Sequence, residues 1–365
     1  MTKSKKKILI ATGGTGGHVF PAYSLAKYFI NNKKSVEITT DKRGFQFLKN
    51  YKDIKLKIIN SATIFKKNPL SVFIALIQIK LAFISSLIFL FKSKPAVVFG
   101  MGGYSSFPIC LAAKALKIPF IIYENNLVIG KANRFLLPLA YKIFISYSET
   151  EGIKKKYEGK KIQIGNIIRE EVINFKKDIS ISKKEEISIL VLGGSQAAKS
   201  FAEILPEIFE KCAKLGFKLK IYQQCLFDQQ NELTKKYESL NIKFELFNFT
   251  HNILNYFSKI DLAITRSGSS ILAELLNCKI PFISIPFPYA ADNHQLKNAK
   301  YFEKKGYGFL IEENQIKKEL FPLIKSIHED KDLLSEIRKR QNTHSDKLVF
   351  ENINNQIKIL TNEQY

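Results

Sequence analysis

The sequence predicts an α/β protein made of two doubly wound, Rossmann-like domains, each with a parallel sheet covered by helices. Three observations support this prediction. Short apolar segments of strand length alternate with segments of helical periodicity along most of the chain. An apolar run followed by a glycine turn and a helical pattern occurs twice, starting at Ile8 and again at Ile187. Finally, 365 residues suffice for two domains that each bury a hydrophobic core.

The predicted strands are short apolar runs that each lead into a turn. They include 8–11, 35–40, 96–99, 120–123, 187–192, 217–222, 262–265 and 281–286. Ligands of doubly wound sheets bind at the carboxyl ends of the strands, so the loops after these runs are the candidate binding sites.

The boundary between the two domains is predicted in a polar segment. Residues 152–186 are dense in lysine and glutamate around a short apolar island. We assign residues 1–166 to the first domain and 167–345 to the second. The segment 346–365 is expected to form a further helix, because its apolar residues have helical spacing: Val349, Phe350, Ile353, Ile357 and Leu360.

The chain is basic, with 57 Lys+Arg against 33 Asp+Glu and a formal net charge of +24. Only six of these residues are arginine. Nucleic-acid recognition favours the bidentate guanidinium of arginine, so no nucleic-acid partner is expected. The lysine excess reflects either a compositional bias or attraction to an anionic membrane surface. The spacing of the four cysteines favours reduced thiols in the cytoplasm. The basic segment 1–7 is not followed by the apolar region of a secretory signal.

Residues 69–91 form the one long apolar segment. Its length alone would permit a membrane span, but crossing a bilayer would separate the strand at 96–99 from the sheet it must join. We therefore expect a helix that rests on the membrane surface, where a lysine among apolar neighbours can extend its charge to the headgroups. Lys66 and Lys67 add a basic component, and a helix buried on both sides is the alternative. The predicted membrane contacts are Phe73, Leu76, Lys80 and Phe83.

Three glycine turns follow predicted strands: T-G-G-T-G-G-H at 12–18, G-M-G-G-Y-S-S at 100–106 and G-G-S-Q at 193–196. The backbone N–H groups of such turns can approach a phosphate or a sugar, with the positive end of a helix behind them. The first turn does not fit G-x-G-x-x-G, and no G-K-[ST] occurs, which disfavours dinucleotide and ATP sites. Plain tight turns remain the alternative.

Two polar motifs follow strands of the second half. In R-S-G-S-S-I-L-A-E at 266–274, Ser269 or Ser270 can cap a helix whose N-terminus suits a diphosphate, while Glu274 suits a pair of ribose hydroxyls. The motif D-N-H-Q-L-K-N at 292–298 concentrates side chains that bind hydroxyl groups. Taken singly, Glu274 could be a solvated helix residue and the second motif an ordinary polar loop.

Taken together and in this order, the motifs resemble one family, the bacterial peptidoglycan glycosyltransferases that add N-acetylglucosamine to undecaprenyl-diphospho-N-acetylmuramoyl-pentapeptide. The resemblance runs from Ile8 to about Gly308 and includes Y-E-N-N-L-V-I-G-K-A-N-R at 123–134. It implies two domains that face each other across a cleft, the GT-B architecture. The second domain would hold UDP-N-acetylglucosamine, the first would receive the lipid acceptor, and the tail 346–365 would return to the first.

The implied reaction is an inverting transfer to the muramoyl 4-hydroxyl, at the cytoplasmic face of the inner membrane, in peptidoglycan synthesis. His18 is the candidate general base, because histidine's unperturbed pKa of about 6.5 suits proton transfer, and a role in positioning substrate is the alternative. No D-x-D motif lies on a strand-end loop, so neither a catalytic metal nor another cofactor is expected. The implied substrate-binding positions are Thr15, Gly16, Gly17, Asn126, Arg169, Ser195, Thr250, Ser269, Ser270, Ile271, Leu272, Ala273, Glu274, Gln295 and Asn298.

The sequence also departs from the family pattern. The usual E-Q-N stands here as E-N-N at 124–126, the usual asparagine-proline as Asn166-Ile167, and Thr250 replaces an aliphatic residue near uracil. Two rival functions remain open. One is a related transferase that makes a diacylglycerol glycolipid, and the other is a Rossmann protein that binds NAD or a membrane without transferring sugar.

Overall fold

The computed structural model describes residues 6–59, 68–176, 186–248, 250, 252–330 and 332–361, apart from the side chains of Pro69, 195–198 and Thr361. The chain divides into two compact units. The first unit comprises Met1–Glu170 together with Asp346–Tyr365, and the second comprises Glu171–Ser345.

The first unit is built on a seven-stranded sheet in the order β3-β2-β1-β4-β5-β6-β7, with all neighbouring strands parallel. The strands are β1 (Lys7–Ala11), β2 (Ser35–Thr40), β3 (Lys55–Ile58), β4 (Val97–Gly100), β5 (Phe120–Glu124), β6 (Lys142–Ile145) and β7 (Lys161–Gln163). The helices between them are α1 (Gly16–Asn31), α2 (Lys42–Leu48), α3 (Pro69–Ser93), α4 (Ser106–Ala115) and α5 (Lys131–Leu136).

The second unit is built on a six-stranded parallel sheet in the order β10-β9-β8-β11-β12-β13. The strands are β8 (Glu186–Leu192), β9 (Lys218–Gln224), β10 (Lys243–Phe247), β11 (Leu262–Thr265), β12 (Phe282–Ser284) and β13 (Phe309–Leu310). The helices from the end of the first unit onward are α6 (Glu170–Ile173), α7 (Gly194–Lys214), α8 (Gln230–Ser239), α9 (Leu254–Phe257), α10 (Ser269–Asn277), α11 (His294–Lys304), α12 (Ile316–Glu329), α13 (Leu333–Gln341) and α14 (Val349–Thr361).

Two doubly wound parallel sheets confirm the predicted fold class. In each sheet the strand order reverses next to the first strand of the unit, between β1 and β4 and between β8 and β11. Ligands of doubly wound folds bind beyond the carboxyl ends of the strands at such a reversal. The loops after these four strands are therefore the places to look for a site, and they include all three glycine turns.

The C-terminal helix α14 packs on the first unit through a buried apolar face that includes Ile353 and Ile357. The ring of Phe350 stacks on that of Tyr28 with a centroid distance of 4.9 Å. Just before the helix, the buried Asp346 carboxylate accepts hydrogen bonds from Asn166, at 2.8 Å from the backbone N and 3.2 Å from Nδ2. Apolar burial and a buried polar contact thus both hold the C-terminal segment on the first unit.

The helix α3 buries several small side chains and Leu90 on its inner face, and it exposes most of its large apolar side chains. Asn68 caps its N-terminus by accepting the Leu70 N–H at 2.9 Å, and Lys94 ends it in the left-handed conformation. The buried positions include Ala75, Ala82 and Ser86. The large apolar residues left exposed are Leu70, Phe73, Ile74, Leu76, Ile77, Leu81, Ile84, Ile88 and Phe91.

Among the described helices, only α3 is long and apolar enough to cross a membrane, although its flanking strand β4 pairs with β1 in the sheet. Of its most apolar stretch, 17% is buried, so the alternative of a helix buried on both sides is wrong. Of the predicted membrane contacts, Phe73, Leu76 and Lys80 are exposed. Phe83 instead packs partly against the core of the first unit and does not belong to the outer face. Lys66 and Lys67 lie outside the described residues.

Candidate active site

The loop between β1 and α1, residues 12–15 of the first glycine turn, is held by Asp41 at the end of β2. One carboxylate oxygen of Asp41, Oδ1, accepts the N–H of Gly14 at 3.1 Å and that of Gly44 at 2.7 Å. Gly14 has a φ of +83°, a conformation that glycine adopts without the steric penalty of a side chain. A buried acidic side chain therefore fixes the shape of this turn.

The charge of Asp41 is sustained by these hydrogen bonds. Burial by itself would raise the pKa of the Asp41 carboxyl. The hydrogen bonds from Gly44, Gly14 and Ser105, together with the positive charge of Arg43, outweigh that effect, and the pKa of this carboxyl lies below its ordinary value. Asp41 is consequently ionised at neutral pH, although it is buried.

The second glycine turn, at the end of β4, packs directly against the first. A Cβ atom on Gly13 would lie 2.6 Å from the Cβ of Ser105, so Gly13 has no room for a side chain. Gly102 and Gly103 have φ values of +85° and +75°. These two turns, separate in sequence, form one tightly packed surface at the carboxyl edge of the sheet.

His18 is the last residue of the first glycine turn and lies in the first helical turn of α1, against the second glycine turn. The backbone N–H of His18 donates to the Thr15 carbonyl at 3.1 Å, and the backbone carbonyl of His18 accepts the Thr12 hydroxyl at 3.0 Å. A Cβ atom on Gly102 would lie 3.0 Å from Cε1 of the imidazole, so the ring rests against the second turn. The side chain stays partly exposed. Gly16 and Gly17 precede it in the same helical turn, and the exposed Thr15 is the N-cap.

The loop after β5 is organised by Glu124, a residue for which the sequence predicts no role. Its Oε1 accepts the backbone N–H of Asn126 at 3.1 Å and the Asn126 side-chain amide at 3.0 Å. Its Oε2 accepts the Gly130 N–H at 2.8 Å and the Asn133 amide at 3.0 Å. The neighbouring Asn125 donates to the carbonyl of Gly17 at 3.3 Å. The predicted sugar contact Asn126 is thus brought to the first glycine turn.

In the second unit, the third glycine turn follows β8. Gly194 has a φ of +64°, and its N–H donates to the Gln224 side chain at 3.2 Å. Gln224 in turn donates to the Asn248 carbonyl at 3.0 Å. The side chain of Ser195 lies outside the described residues. Thr250 accepts the N–H of Asn252 at 3.1 Å and so closes a short local turn.

The loop after β11 leads into α10, whose N-cap residue is Gly268. The predicted capping by Ser269 or Ser270 is wrong, because these serines occupy the first two helical positions instead. The side chains of Leu272 and Ala273 are fully buried in the core, which excludes them as side-chain ligands. Of the other predicted positions on this helix, Ser269 is buried, whereas Ser270, Ile271 and Glu274 are partly exposed.

The loop after β12 holds the last two predicted positions. The side-chain oxygen of Gln295 accepts the Phe287 N–H at 2.9 Å, and this side chain is partly exposed. Asn298 is fully buried, and its amide donates to the Ser267 carbonyl at 3.1 Å. Asn298 therefore supports the loop before α10 from within, contrary to its predicted role as a substrate contact.

One predicted position, Arg169, lies outside the loops and helices that hold the other predicted positions. Arg169 is partly exposed and lies one residue before α6, at the end of the first unit. Over the described ranges, no group of three or more His, Cys, Asp or Glu side chains could hold a metal ion. All four cysteines are buried thiols.

Comparisons with known proteins agree with this geometry. Residues 8–145 match the N-terminal domain of glycosyltransferase family 28, and residues 188–353 match its C-terminal domain. The UDP-N-acetylglucosamine–N-acetylmuramyl-(pentapeptide) pyrophosphoryl-undecaprenol N-acetylglucosamine transferase of Pelagibacter ubique is 37% identical, over 98% of this chain and 99% of that protein. The protein of the same name from Rickettsia bellii is 34% identical, over 86% of this chain and 88% of its own.

A solved structure shows the same fold. The crystal structure of Acinetobacter baumannii MurG superposes with a TM-score of 0.79, covering 97% of this chain and 99% of that one at 24% sequence identity. The motifs, the two sheets and the curated relatives all lead to one assignment. The chain belongs to the family of UDP-N-acetylglucosamine–N-acetylmuramyl-(pentapeptide) pyrophosphoryl-undecaprenol N-acetylglucosamine transferases, within glycosyltransferase family 28.

Proposed function

We propose that this chain transfers N-acetylglucosamine from UDP-N-acetylglucosamine to the 4-hydroxyl of undecaprenyl-diphospho-N-acetylmuramoyl-pentapeptide, with inversion at the anomeric carbon. This is the step that completes the lipid-linked disaccharide for peptidoglycan synthesis. The observation that carries the proposal is the placement of His18 at the carboxyl edge of the first sheet, where its partly exposed imidazole rests against the second glycine turn.

His18 is the proposed general base. Its imidazole accepts the proton of the acceptor hydroxyl while that oxygen attacks the anomeric carbon of the donor sugar. The bond between the anomeric carbon and the diphosphate oxygen breaks, and UDP leaves with the electron pair. The tight packing of the ring against Gly102 supports this role, because a base must be held in one position to act.

The leaving UDP is proposed to bind at the carboxyl edge of the second sheet. The nine-residue helix α10 directs its positive end toward this edge, which favours a diphosphate. Glu274, one turn further, is the proposed partner of the ribose hydroxyls, and Gln295 that of a sugar hydroxyl. Arg169, Ser195 and Thr250 stay predicted contacts on the strength of the family resemblance, as do Thr15, Gly16, Gly17 and Asn126 on the first unit.

Transfer of labelled sugar from UDP-N-acetylglucosamine tests the proposal. The acceptors are a short-chain lipid-linked muramoyl-pentapeptide, diacylglycerol, and none. We expect product only with the muramoyl acceptor. Product only with diacylglycerol would move the chain to glycolipid synthesis. Absence of both product and UDP binding would leave a Rossmann protein that is not a transferase.

We also propose that the chain docks peripherally on the anionic inner leaflet through the outer face of α3. This face carries large apolar side chains, including Phe73 and Leu76, which are 61% and 52% exposed. At 1.5 Å per residue the helix is about 37 Å long, so lying in the interface would bury most of these side chains in the headgroup region. Lys80 is exposed on the same helix and can extend its ammonium group toward lipid phosphates.

Cosedimentation with anionic vesicles tests the docking. The double variant Phe73→Ser, Ile77→Ser should lose most of its vesicle binding, because both replaced side chains lie on the outer face. Phe227→Ser is the matched control, since Phe227 is 76% exposed but belongs to the second unit. Equal vesicle binding by the wild type and the folded double variant would contradict the docking proposal.

A further inference from the structure

We propose that Arg266, neutralised by Glu313, is a positioning residue that sets the UDP-binding edge of the second unit and does not itself bind the diphosphate. The inference rests on the proposed function. It concerns the arginine of the R-S-G motif. A positively charged side chain at this position would ordinarily be expected to bind the phosphates.

The guanidinium of Arg266 contacts chain segments that follow three other strands. Its Nη2 donates to the Ser200 hydroxyl on α7, after β8, at 2.9 Å. Its Nη1 donates to the carbonyls of Ile285 and Pro286, after β12, at 3.3 Å each. Nη1 also forms an ion pair with Glu313, which follows β13. Arg266 itself follows β11, so one side chain links segments that follow four strands of the sheet.

The guanidinium is also enclosed by aromatic rings. Its Cζ lies 4.5 Å from the ring centroid of Phe201 and 5.5 Å from that of Phe287. Arg266 is only 6% exposed. To reach a phosphate at the surface, the guanidinium would have to leave an ion pair, three hydrogen bonds and two cation–π contacts. The loss of these contacts would oppose such a movement, so the observed arrangement serves to hold the loops.

The segments joined by Arg266 are those that carry the predicted ligand contacts. Its own backbone N–H donates to the Leu192 carbonyl, immediately before the third glycine turn, at 3.2 Å. The carbonyls of Ile285 and Pro286 lead to Phe287, whose N–H fixes Gln295. A displacement of Arg266 would therefore reach both the glycine turn and the Gln295 loop.

Replacing Glu313 distinguishes a positioning role of Arg266 from direct binding of the diphosphate. If Arg266 positions loops, removing the charge of Glu313 leaves a buried guanidinium without its counter-ion, and the loops shift. If Arg266 binds the diphosphate, the same change releases the guanidinium for the phosphates and strengthens binding. The two roles thus predict opposite signs for Glu313→Gln.

The experiment is calorimetric titration of UDP into the full chain, with circular dichroism to establish folding. We expect Arg266→Lys and Glu313→Gln each to weaken UDP binding by about tenfold to a hundredfold, because small misplacements of binding groups have effects of this size. Lysine keeps the charge but cannot reproduce the planar fork or its stacking. The matched controls Arg340→Lys and Glu312→Gln change exposed residues and should bind as the wild type does.

Unchanged or tighter UDP binding by folded Glu313→Gln would overturn the positioning role. Should Arg266→Lys not fold, Glu313→Gln alone decides. This variant should fold, because the Glu313 side chain is 22% exposed and glutamine has the same size as glutamate. If the wild type itself does not bind UDP, the proposed function fails. If the wild type binds UDP and both variants bind it equally, only the present inference fails.

Discussion

The two units share one topology but stabilise their strand-end loops with opposite charges. In the first unit, the buried carboxylates of Asp41 and Glu124 accept backbone N–H groups of the glycine turn and the β5 loop. In the second unit, the buried guanidinium of Arg266 donates to backbone carbonyls and a hydroxyl. The difference follows from which backbone groups the loops turn inward.

A buried charge is tolerated only where groups of opposite polarity converge on it. The turn at Gly14, with its positive φ, aims an N–H at a carboxylate. The chain after β12 aims two successive carbonyls at a guanidinium. The same fold can therefore fix a binding loop through its N–H groups or through its carbonyl groups. The charge of the buried residue need not be the charge that meets the ligand.

The largest expected effect separates catalysis from UDP binding. His18→Ala should lower turnover by at least about a hundredfold, the low end for loss of a general base, with little change in UDP affinity. UDP affinity should persist because its proposed site lies in the second unit. Steady-state kinetics and calorimetry measure the two quantities.

A second histidine provides the control for this variant. His328 stacks on Phe217 in the second unit, with a centroid distance of 3.9 Å, and is not part of the proposed site. His328→Ala should therefore retain turnover. Near-normal turnover by His18→Ala would remove the base role and leave His18 as a residue that positions substrate.

The next largest expected effect is a loss of stability in the first unit, whose loops are held by buried carboxylates. Asp41→Ala should lower the free energy of unfolding by about 2 to 3 kcal/mol, because the N–H groups of Gly14 and Gly44 lose their acceptor. Asp41→Asn should lose less, since one amide oxygen can replace Oδ1 for both donors. Urea denaturation measures the differences, and Asp53→Ala, at an exposed aspartate of the same unit, is the matched control.

If the comparison between the units holds, the folded Asp41 variants should bind UDP as the wild type does, whereas Arg266→Lys should not. A loss of UDP affinity in Asp41→Asn equal to that in Arg266→Lys would contradict the division of roles.

The smallest effect is the pH dependence of the stability that Asp41 contributes. The pKa of the Asp41 carboxyl is lowered in the folded protein, so its ionised form adds stability that is fully present above about pH 4, the ordinary range for aspartate. This contribution is lost as the pH falls through the lower, folded pKa. The stability difference between wild type and Asp41→Asn should therefore shrink on acidification, and urea denaturation from about pH 6 down to pH 3 measures it. A difference independent of pH would mean that Asp41 acts through geometry alone.

Sequence patterns predict the central strands of both sheets but miss the edge strands and also the interior strand β6. The buried strands around the two reversals are short apolar runs, which local periodicity reveals. Edge strands such as β3, with the sequence K-L-K-I and mostly exposed residues, carry little hydrophobic signal. The two-residue strand β13 is too short for any periodicity. Such strands are defined by pairing with a neighbour, which sequence alone does not show.

The helix α3 illustrates a second limit. Its sequence is apolar on all sides, so periodicity cannot indicate which face lies inward. Packing decides which face is buried: Ala75, Ala82 and Ser86 lie inward together with the larger Leu90, while the large side chains of the opposite face stay exposed. The same decision places Phe83 partly inward, against its prediction as a membrane contact.

The sequence by itself determined the fold class, the three glycine turns, the candidate base His18 and the family, because these depend on local patterns and on residue types in order. Tertiary structure alone decided which polar residues support the loops and which stay open to a ligand. Asp41 lies 27 residues from Gly14, and Arg266 lies 66 residues from Ser200, so no local pattern links either pair. Asn298 shares its motif with Gln295, yet only folding buries one and leaves the other partly exposed, since burial depends on what packs against each side of a helix.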